Sequence, residues 1–401
     1  MRYQLSDIDF GDEEVAAVAD VVRSKWLSIG PRTEEFESRF AAAFGVKHAI
    51  AMANCTAALH LALKGAGIGP GDEVLVPSYT FVASANAVLY QGATPVFVDI
   101  AGPHDLNASI ADIEAKITPR TVAILPVHIA GYAADMDAIM ALADKHGLAV
   151  IEDACHAIGA DYEPGPQSRF HGRKLGSIGN AGCFSFFANK NLVTGEGGMI
   201  VTNDDRVAQS ARRARSHGMT KTSWDRASGR AVDYDVVDLG YNYRGTEFTA
   251  ALGLVQLGKL AGGNRRRKAL THRYRQRLSG CPLVSIPFAD RTDDSGHHIL
   301  PIVLDDAKFR PKFRRLLQEQ GIQTSVHYPP AHQFTQYVER CPDTGPLPMT
   351  VDVSEREVTL PLHPLLGDTD VDFICDRVRW AASEVGRGTE VVAEHDLRAS
   401  A

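Results

Sequence analysis

Cysteine is scarce in this chain of 401 residues: six, at 55, 155, 183, 281, 341 and 375, with no Cys-x-x-Cys pair. With no secretory leader ahead of them, such scattered thiols argue against a disulfide framework and predict reduced cysteines in a cytoplasmic protein. No apolar stretch approaches the roughly 20 residues that a membrane-spanning helix requires, so no place in a bilayer is expected. No internal repeat and no long block of like charge is visible. The formal net charge is -7 and the densest basic run, Arg265-Arg266-Arg267-Lys268, is short. Nothing there offers an electrostatic footprint for nucleic acid, and the run reads as the solvated face of a helix. No histidine pair has the spacing of a zinc helix; His297 and His298 are adjacent, which points them apart in a strand. No metal is expected.

What is present is apolar material in quantity. At 44% hydrophobic residues the chain can bury a large core, and its length favours one large and one smaller domain. Between about 46 and 205, short apolar runs alternate with helix-like segments: Ala49–Met52, Glu73–Val76, Pro95–Val98, Val122–Leu125, Ala149–Ile151, Cys183–Phe186 and Met199–Val201. That alternation predicts an α/β domain built on a mostly parallel seven-stranded sheet with helices on both faces. Phe248–Leu257 has helical spacing, and Gly262-Gly263 marks an expected break. A basic helix follows it, then strands at 299–304 and about 322–327 and a helix near 370–384, which suggest a smaller α/β domain. The expected division is 1–260 for the large domain with an N-terminal helix near 12–24, 261–385 for the small one, and a frayed tail over 386–401.

In a sheet of this kind ligands bind beyond the carboxyl ends of the strands, and the chemistry-bearing residues fall there. Asp153 closes the run Leu148-Ala149-Val150-Ile151-Glu152; Lys190 follows Phe184-Ser185-Phe186-Phe187-Ala188-Asn189 and precedes Thr194-Gly195-Glu196-Gly197-Gly198. A lysine desolvated in a cleft can lose its proton near neutral pH and form a Schiff base with an aldehyde. A carboxylate can hold a pyridine nitrogen protonated, so that the ring accepts electrons. The pair therefore suggests a pyridoxal phosphate (PLP) site, although a solvated loop lysine and a capping aspartate would look the same in isolation. Thr56 and Ala57, opening a helix, could supply amide and hydroxyl donors to a phosphate, and Ser185 could add another. Phe81 stands where a ring could stack on a cofactor, and His156, one turn past Asp153, could reach it. Taken singly these are equally an N-cap, a strand serine, a core phenylalanine and a buried histidine.

Together the residues resemble the DegT/DnrJ/EryC1/StrS family of PLP-dependent sugar aminotransferases, of the fold type I aspartate aminotransferase architecture. The likeness is carried by Ser24–Pro31 with Glu35-Phe36-Glu37, Thr56–Leu63, Pro77–Ala83, Pro126-Val127-His128, Ala134–Asp137 and Ile151–Ala154. It continues through Ser185–Lys190, Thr194–Gly198, Gly240–Arg244, His327-Tyr328 and Leu360–Pro364, so that it covers about 10–385 in the family's order. The resemblance implies that Lys190 bears the Schiff base and shuttles the proton, and that Asp153 pairs with the pyridine nitrogen. It implies further that Thr56, Ala57 and Ser185 hold the phosphate, that Phe81 stacks on the ring and that His156 contacts the cofactor. Asn242 would reach the cofactor of a neighbouring subunit, making the enzyme a homodimer with a shared site.

Glutamate or glutamine is the implied amino donor. A keto-sugar, nucleotide-linked or a cyclitol ketone, is the acceptor, with His327, Tyr328 and Trp26 as candidate contacts and Arg215, Lys221, Arg226 and Arg230 as candidate partners of a diphosphate. Cys55 stands where the family has glycine, which questions the local backbone because cysteine resists positive φ. Phe187-Ala188-Asn189 replaces a common His-Pro-Thr, and Gly245 follows Arg244 where a larger residue is frequent. A dehydratase or aromatising synthase on the same scaffold, and a non-catalytic PLP-binding regulator, are the alternatives.

Overall fold

The computed structural model describes residues 1–291, 295–341 and 344–399. Seven strands, β1 (His48–Met52), β2 (Glu73–Pro77), β3 (Thr94–Val98), β4 (Thr121–Ile124), β5 (Ala149–Asp153), β6 (Ala181–Ser185) and β7 (Gly198–Thr202), form one sheet in the order β1-β7-β6-β5-β4-β2-β3. Each expected run lies on one of them. The pairs β3/β2, β2/β4, β4/β5 and β5/β6 are parallel, and β7 runs antiparallel to both β6 and β1. Every residue of β2, β6 and β7 is buried, as required when helices cover both faces. Pro95 is tolerated because β3 is an edge strand.

Helices α1 (Asp12–Ser24) and α2 (Pro31–Phe44) precede the sheet. Its strands are linked by α3 (Cys55–Gly65), α4 (Ala83–Tyr90), α5 (Ile110–Ala115) and α6 (Met136–His146). Next, α7 (Asp205–Ala214) and the short α8 (Ser223–Ala227) lead into α9 (Glu247–Leu278). Local chemistry sets these limits: Pro31 occupies the first turn of α2, and Gly45, at φ +64°, closes it in the left-handed conformation. The N-terminal helix packs on α9, where the Glu14 carboxyl receives Gln256 Nε2 at 2.8 Å and Lys259 Nζ at 2.8 Å.

A second, antiparallel sheet, β10-β9-β8, comprises β8 (Val284–Ser285), β9 (Leu300–Leu304) and β10 (Glu357–Leu360), attended by α10 (Arg310–Glu319), α11 (Thr335–Arg340), α12 (Pro348–Arg356) and α13 (Asp368–Ala399). Two expectations are corrected here. The strand expected at 322–327 is two isolated bridges, Ile322 to Tyr3 and Ser325 to Thr359; β10 is the strand that completes the sheet. Gly262-Gly263 does not break the chain, since α9 passes through both. Each glycine costs a helix roughly 1 kcal/mol, and tertiary packing outweighs this because α9 buries Ala250 and Leu260 beside the large sheet and Leu270, Tyr274 and Leu278 beside the small one. A division into two domains is therefore proposed to run through α9 itself. The segment from 386 to 399, expected to fray, continues α13, whose Ala- and Glu-containing stretch has no proline to stop it; residues 400 and 401 lie outside the described residues.

Candidate active site

The helix α3 follows the edge strand β1, and its cap is Asn54, whose Oδ1 accepts the Ala57 amide at 2.9 Å. Thr56 is thus inside the helix, not its cap, and the helix starts two residues earlier than the expected Ala57. Cys55 lies in the first turn, and it is not among the residues with positive φ, so the family's glycine is replaced here without left-handed strain. Close approach at this point is instead secured by Gly198: a Cβ there would sit 2.5 Å from the Asn54 backbone. Such a contact would push β7 off the helix terminus, which is the physical reason for glycine at that end of the Thr194–Gly198 motif.

Facing this terminus is a cleft of about 470 Å³ whose walls include Thr56, Phe81, Asp153, His156, Ser185, Lys190, His327 and Tyr328. Eight of the expected site residues, from distant parts of the chain, are therefore brought together. Asp153 is the last residue of β5 and Ser185 the last of β6, which places both at strand carboxyl ends. Ala57 lies one residue beyond the cleft wall with its amide occupied by Asn54. Trp26 is elsewhere, its indole donating to the Ile29 carbonyl at 2.9 Å and its ring 5.0 Å from that of Trp224. Asn242 is exposed and does not line the cleft.

Burial holds the Lys190 amine below the usual lysine range. The amine meets His298 Nε2 at 3.3 Å, and His298 Nδ1 meets Asn191 Oδ1 at 3.1 Å. Asn191 spends its amide protons on Asn264 Oδ1 and the Gly296 carbonyl, so its oxygen faces His298, the proton of that ring sits on Nδ1, and Nε2 is left to accept from Lys190. Burial drives His156 and His298 well below the ordinary histidine range, and His327 down to about 4, with the nearby Lys190 charge adding to each shift. Neutral imidazoles thus line the amine, and none competes for its charge.

Asp153 Oδ2 accepts from Ser84 Oγ at 2.8 Å, and Oδ1 accepts the Cys155 amide at 3.2 Å. His156 Nε2 is bonded to the Tyr328 hydroxyl at 2.9 Å, and its Nδ1 is buried without a protein partner. The helical turn expected between Asp153 and His156 is an irregular turn. Phe81 presents its ring to the open cleft, 59% exposed. Thr56 makes no side-chain hydrogen bond to the described residues, whereas Ser185 Oγ accepts the Phe187 amide at 3.3 Å and keeps its own proton free. The Cys155 thiol donates to Cys55 at 2.9 Å, and both thiols lie within 4.8 Å of an Asp153 oxygen, a juxtaposition of residues too far apart in the chain for spacing to reveal. Burial pushes Cys55 up to about 11.

Other residues escaped the sequence. Ser84 stands just past the Pro77–Ala83 motif. His298, discounted with His297 as a metal pair, touches Lys190. Arg267, read as part of a solvated basic face, is buried and donates to the carbonyls of His298 at 3.2 Å and Leu362 at 2.8 Å, which ties α9 to the active-site histidine. Arg215 is not a loop cation: it is buried, with Nη1 held by Glu37 at 2.5 Å and the Ala51 carbonyl at 2.7 Å, while its Nε has no partner among the described residues. Arg230 pairs with Glu34 at 2.6 Å, Arg226 lies over the Tyr234 ring, and Lys221 is exposed.

Comparison with known proteins places this geometry in context. The family model for the DegT/DnrJ/EryC1/StrS aminotransferase family matches residues 9–379. The spore coat polysaccharide biosynthesis protein SpsC of Bacillus subtilis is 41% identical over 377 residues, covering 92% of this chain and 94% of that protein. Among solved structures, Helicobacter pylori PseC, an aminotransferase involved in the biosynthesis of pseudoaminic acid, superposes with a TM-score of 0.87 at 31% identity, covering 95% of this chain and 99% of PseC. The PLP form of Spr1654 from Streptococcus pneumoniae gives a TM-score of 0.87 at 29% identity, with 95% and 99% covered.

Proposed function

The chain belongs to the DegT/DnrJ/EryC1/StrS aminotransferase family and is a PLP-dependent sugar aminotransferase, and we propose that it moves an amino group from glutamate or glutamine to a nucleotide-linked keto-sugar. The observation that carries this reading is the placement of a buried, pKa-depressed Lys190 and the Asp153 carboxyl on the walls of one cleft.

The donor set fits the cofactor. Thr56 and Ser185 have unengaged hydroxyl protons beside a helix N-terminus, suited to a phosphate. Phe81 offers a ring face, Asp153 an acceptor for a pyridinium N–H, and His156 Nδ1 a buried atom awaiting a partner. When bound, PLP supplies an aldehyde that takes up the amino group and a ring that withdraws electrons. The protein's own part is to hold and move protons. Lys190, once free of the cofactor, would take the proton from the amino donor's α-carbon and pass it to the cofactor carbon that carried the aldehyde, a role for which a depressed pKa suits it. His298 accepts from its N–H and keeps the amine aimed, and Ser84 and the Cys155 amide hold Asp153 in place.

Support for a second subunit comes from one stretch. Val232, Tyr234, Val236, Val237 and Leu239 are exposed beside Asn242, an apolar surface that a second copy would cover, so we read the active form as a homodimer in which Asn242 serves the partner's cofactor. Near it, Trp224, Arg226 and Arg244 line a hollow of about 220 Å³, with Arg244 Nη1 buried and unpartnered, which supports an anionic, nucleotide-bearing substrate. Six unpaired thiols fit a cytoplasmic enzyme, and among the described residues no helix is long and apolar enough to cross a membrane.

Adding glutamate to the yellow holoenzyme is expected to bleach its visible absorbance, and keto-sugars added next should appear aminated by mass spectrometry; an unchanged spectrum with every common amino donor would overturn the assignment. Asp153→Asn should lower kcat by about 10²- to 10³-fold. Its thermal unfolding should stay near wild type, because the asparagine oxygen can keep the Cys155 amide while the Ser84 hydroxyl accepts from the new NH2 group; unchanged kcat would remove Asp153 from the chemistry.

A further inference from the structure

His327 lines the cleft and its surroundings are unusual. Its backbone amide donates to Glu357 Oε2 at 2.8 Å, its ring Nδ1 lies 2.8 Å from Thr359 Oγ1, and Thr359 Oγ1 is in turn bonded to Glu357 Oε1. Glu357 and Thr359 belong to β10 and are fully buried, with 0% and 1% of their surfaces exposed. The other ring nitrogen, Nε2, is bonded to none of the described residues and is the atom left to meet a ligand in the cleft.

The Thr359 hydroxyl has a single proton, and that proton cannot serve both neighbours. If Thr359 donates to the ionised Glu357 carboxylate, its oxygen must accept from His327, so the imidazole proton sits on Nδ1 and Nε2 presents a lone pair to the cleft. If Glu357 is protonated, it donates to Thr359, Thr359 donates to Nδ1, and the imidazole proton moves to Nε2. Burial and the Lys190 charge keep His327 neutral down to about 4, so the ring always has one donor and one acceptor, and only their order changes.

We propose that Glu357 and Thr359 are positioning residues that set which nitrogen of His327 carries the proton, and so decide whether His327 offers the acceptor sugar's hydroxyl or carbonyl oxygen a hydrogen-bond donor or only an acceptor. The proposal rests on the aminotransferase reading for the identity of the ligand, but the tautomer itself does not depend on it. Glu357 is faced by Arg310 and Arg314 of α10 and by Tyr79 and Tyr328, and His327 by Lys190, His156 and His298. Desolvation outweighs the two arginines and pushes the Glu357 carboxyl up to about 8. Below that value His327 is a donor at Nε2; above it, an acceptor.

The test uses the holoenzyme labelled with ¹⁵N-histidine, with the His327 resonances assigned by their loss in His327→Gln. From about pH 6 to about pH 10 the Nε2 signal of the wild type is expected to pass from protonated to unprotonated, while Glu357→Gln, whose amide can only mimic the protonated acid toward Thr359, stays protonated throughout. Thr359→Val should abolish the transition and Thr359→Ser restore it. In steady state Glu357→Gln should remove the pH dependence of KM for the keto-sugar, a change of about 3- to 10-fold, with kcat for the amino-donor half-reaction little altered. A wild-type tautomer that does not change with pH, or a Glu357→Gln curve that follows the wild type, overturns the relay. A tautomer switch in an enzyme that aminates no keto-sugar would leave the relay standing and sink the functional reading instead.

Discussion

Lys190→Ala is expected to reduce turnover by about 10⁴-fold or more, because in the proposed mechanism it removes the group that carries the proton between the reacting carbons, and nothing replaces it. His298, the nearest neighbour at 3.3 Å, is held neutral by burial and has its Nε2 directed to the missing amine rather than to the substrate. Lys190→Arg separates charge from proton transfer: a guanidinium retains the positive charge but cannot give up its proton in a protein, so it should be as inactive as the alanine variant. The wild-type holoenzyme, reduced with borohydride and digested, should carry the cofactor on the peptide containing Lys190. Both variants should yield no such peptide and should lack the yellow colour. A tag elsewhere, or turnover by Lys190→Arg within tenfold of the wild type, would show that the amine at 190 is not the working group.

The largest expected loss of stability is at Glu152, whose side chain is wholly buried one residue before Asp153. Oε1 accepts the amides of Ile178 and Gly179, each at 2.7 Å, and Oε2 accepts the Gly176 amide at 2.8 Å while meeting His128 Nε2 at 3.0 Å. One carboxyl group thus terminates the donors of the loop that leads into β6, and it ties that loop to the segment after β4. Glu152→Ala would leave those donors buried without acceptors, and the loss of a buried, hydrogen-bonded charged group costs about 3 to 5 kcal/mol. Glu152→Gln preserves one acceptor oxygen but turns an amide nitrogen toward a donor, for about 1 to 3 kcal/mol. Urea unfolding of the holoenzyme, followed by far-ultraviolet circular dichroism, measures both. A loss below about 1 kcal/mol for Glu152→Ala would mean that water replaces the carboxyl, contrary to its burial. Activity should fall together with stability, since Asp153 is carried by the same strand end.

Much of the site was legible because its chemistry is written in residue types at strand ends. Asp153 and Ser185 terminate β5 and β6, and Lys190 follows within five residues of Ser185, so knowledge of the strands alone brings them to one edge of the sheet. Thr56 was correctly placed at that edge but wrongly considered as a cap, because asparagine and threonine both serve as N-caps and only the folded structure shows Asn54 in that role. His298 and Arg267 were illegible for a different reason: each owes its function to a partner more than thirty residues away, His298 to Lys190 and Arg267 to Leu362. Nothing local distinguishes a buried arginine in a basic run from its solvated neighbours. The glycine pair in α9 misled in the same way, since helix propensity is a weak prior that contacts on two sheets override.

The period of the apolar runs determined the fold class, and the order of a few motifs carried the resemblance that gave the family and its cofactor and singled out Lys190 and Asp153 as candidates, because those properties depend on residue type and short-range spacing, which a linear chain records. The tertiary structure alone decided which nitrogen of His298 accepts from Lys190, that Cys55 takes a helical backbone against Cys155, and that a buried glutamate on β10 is wired through Thr359 to His327. Each of these depends on hydrogen-bond geometry and desolvation between residues remote in sequence. Such energies arise only when the folded core expels water and leaves every polar group to find its partner.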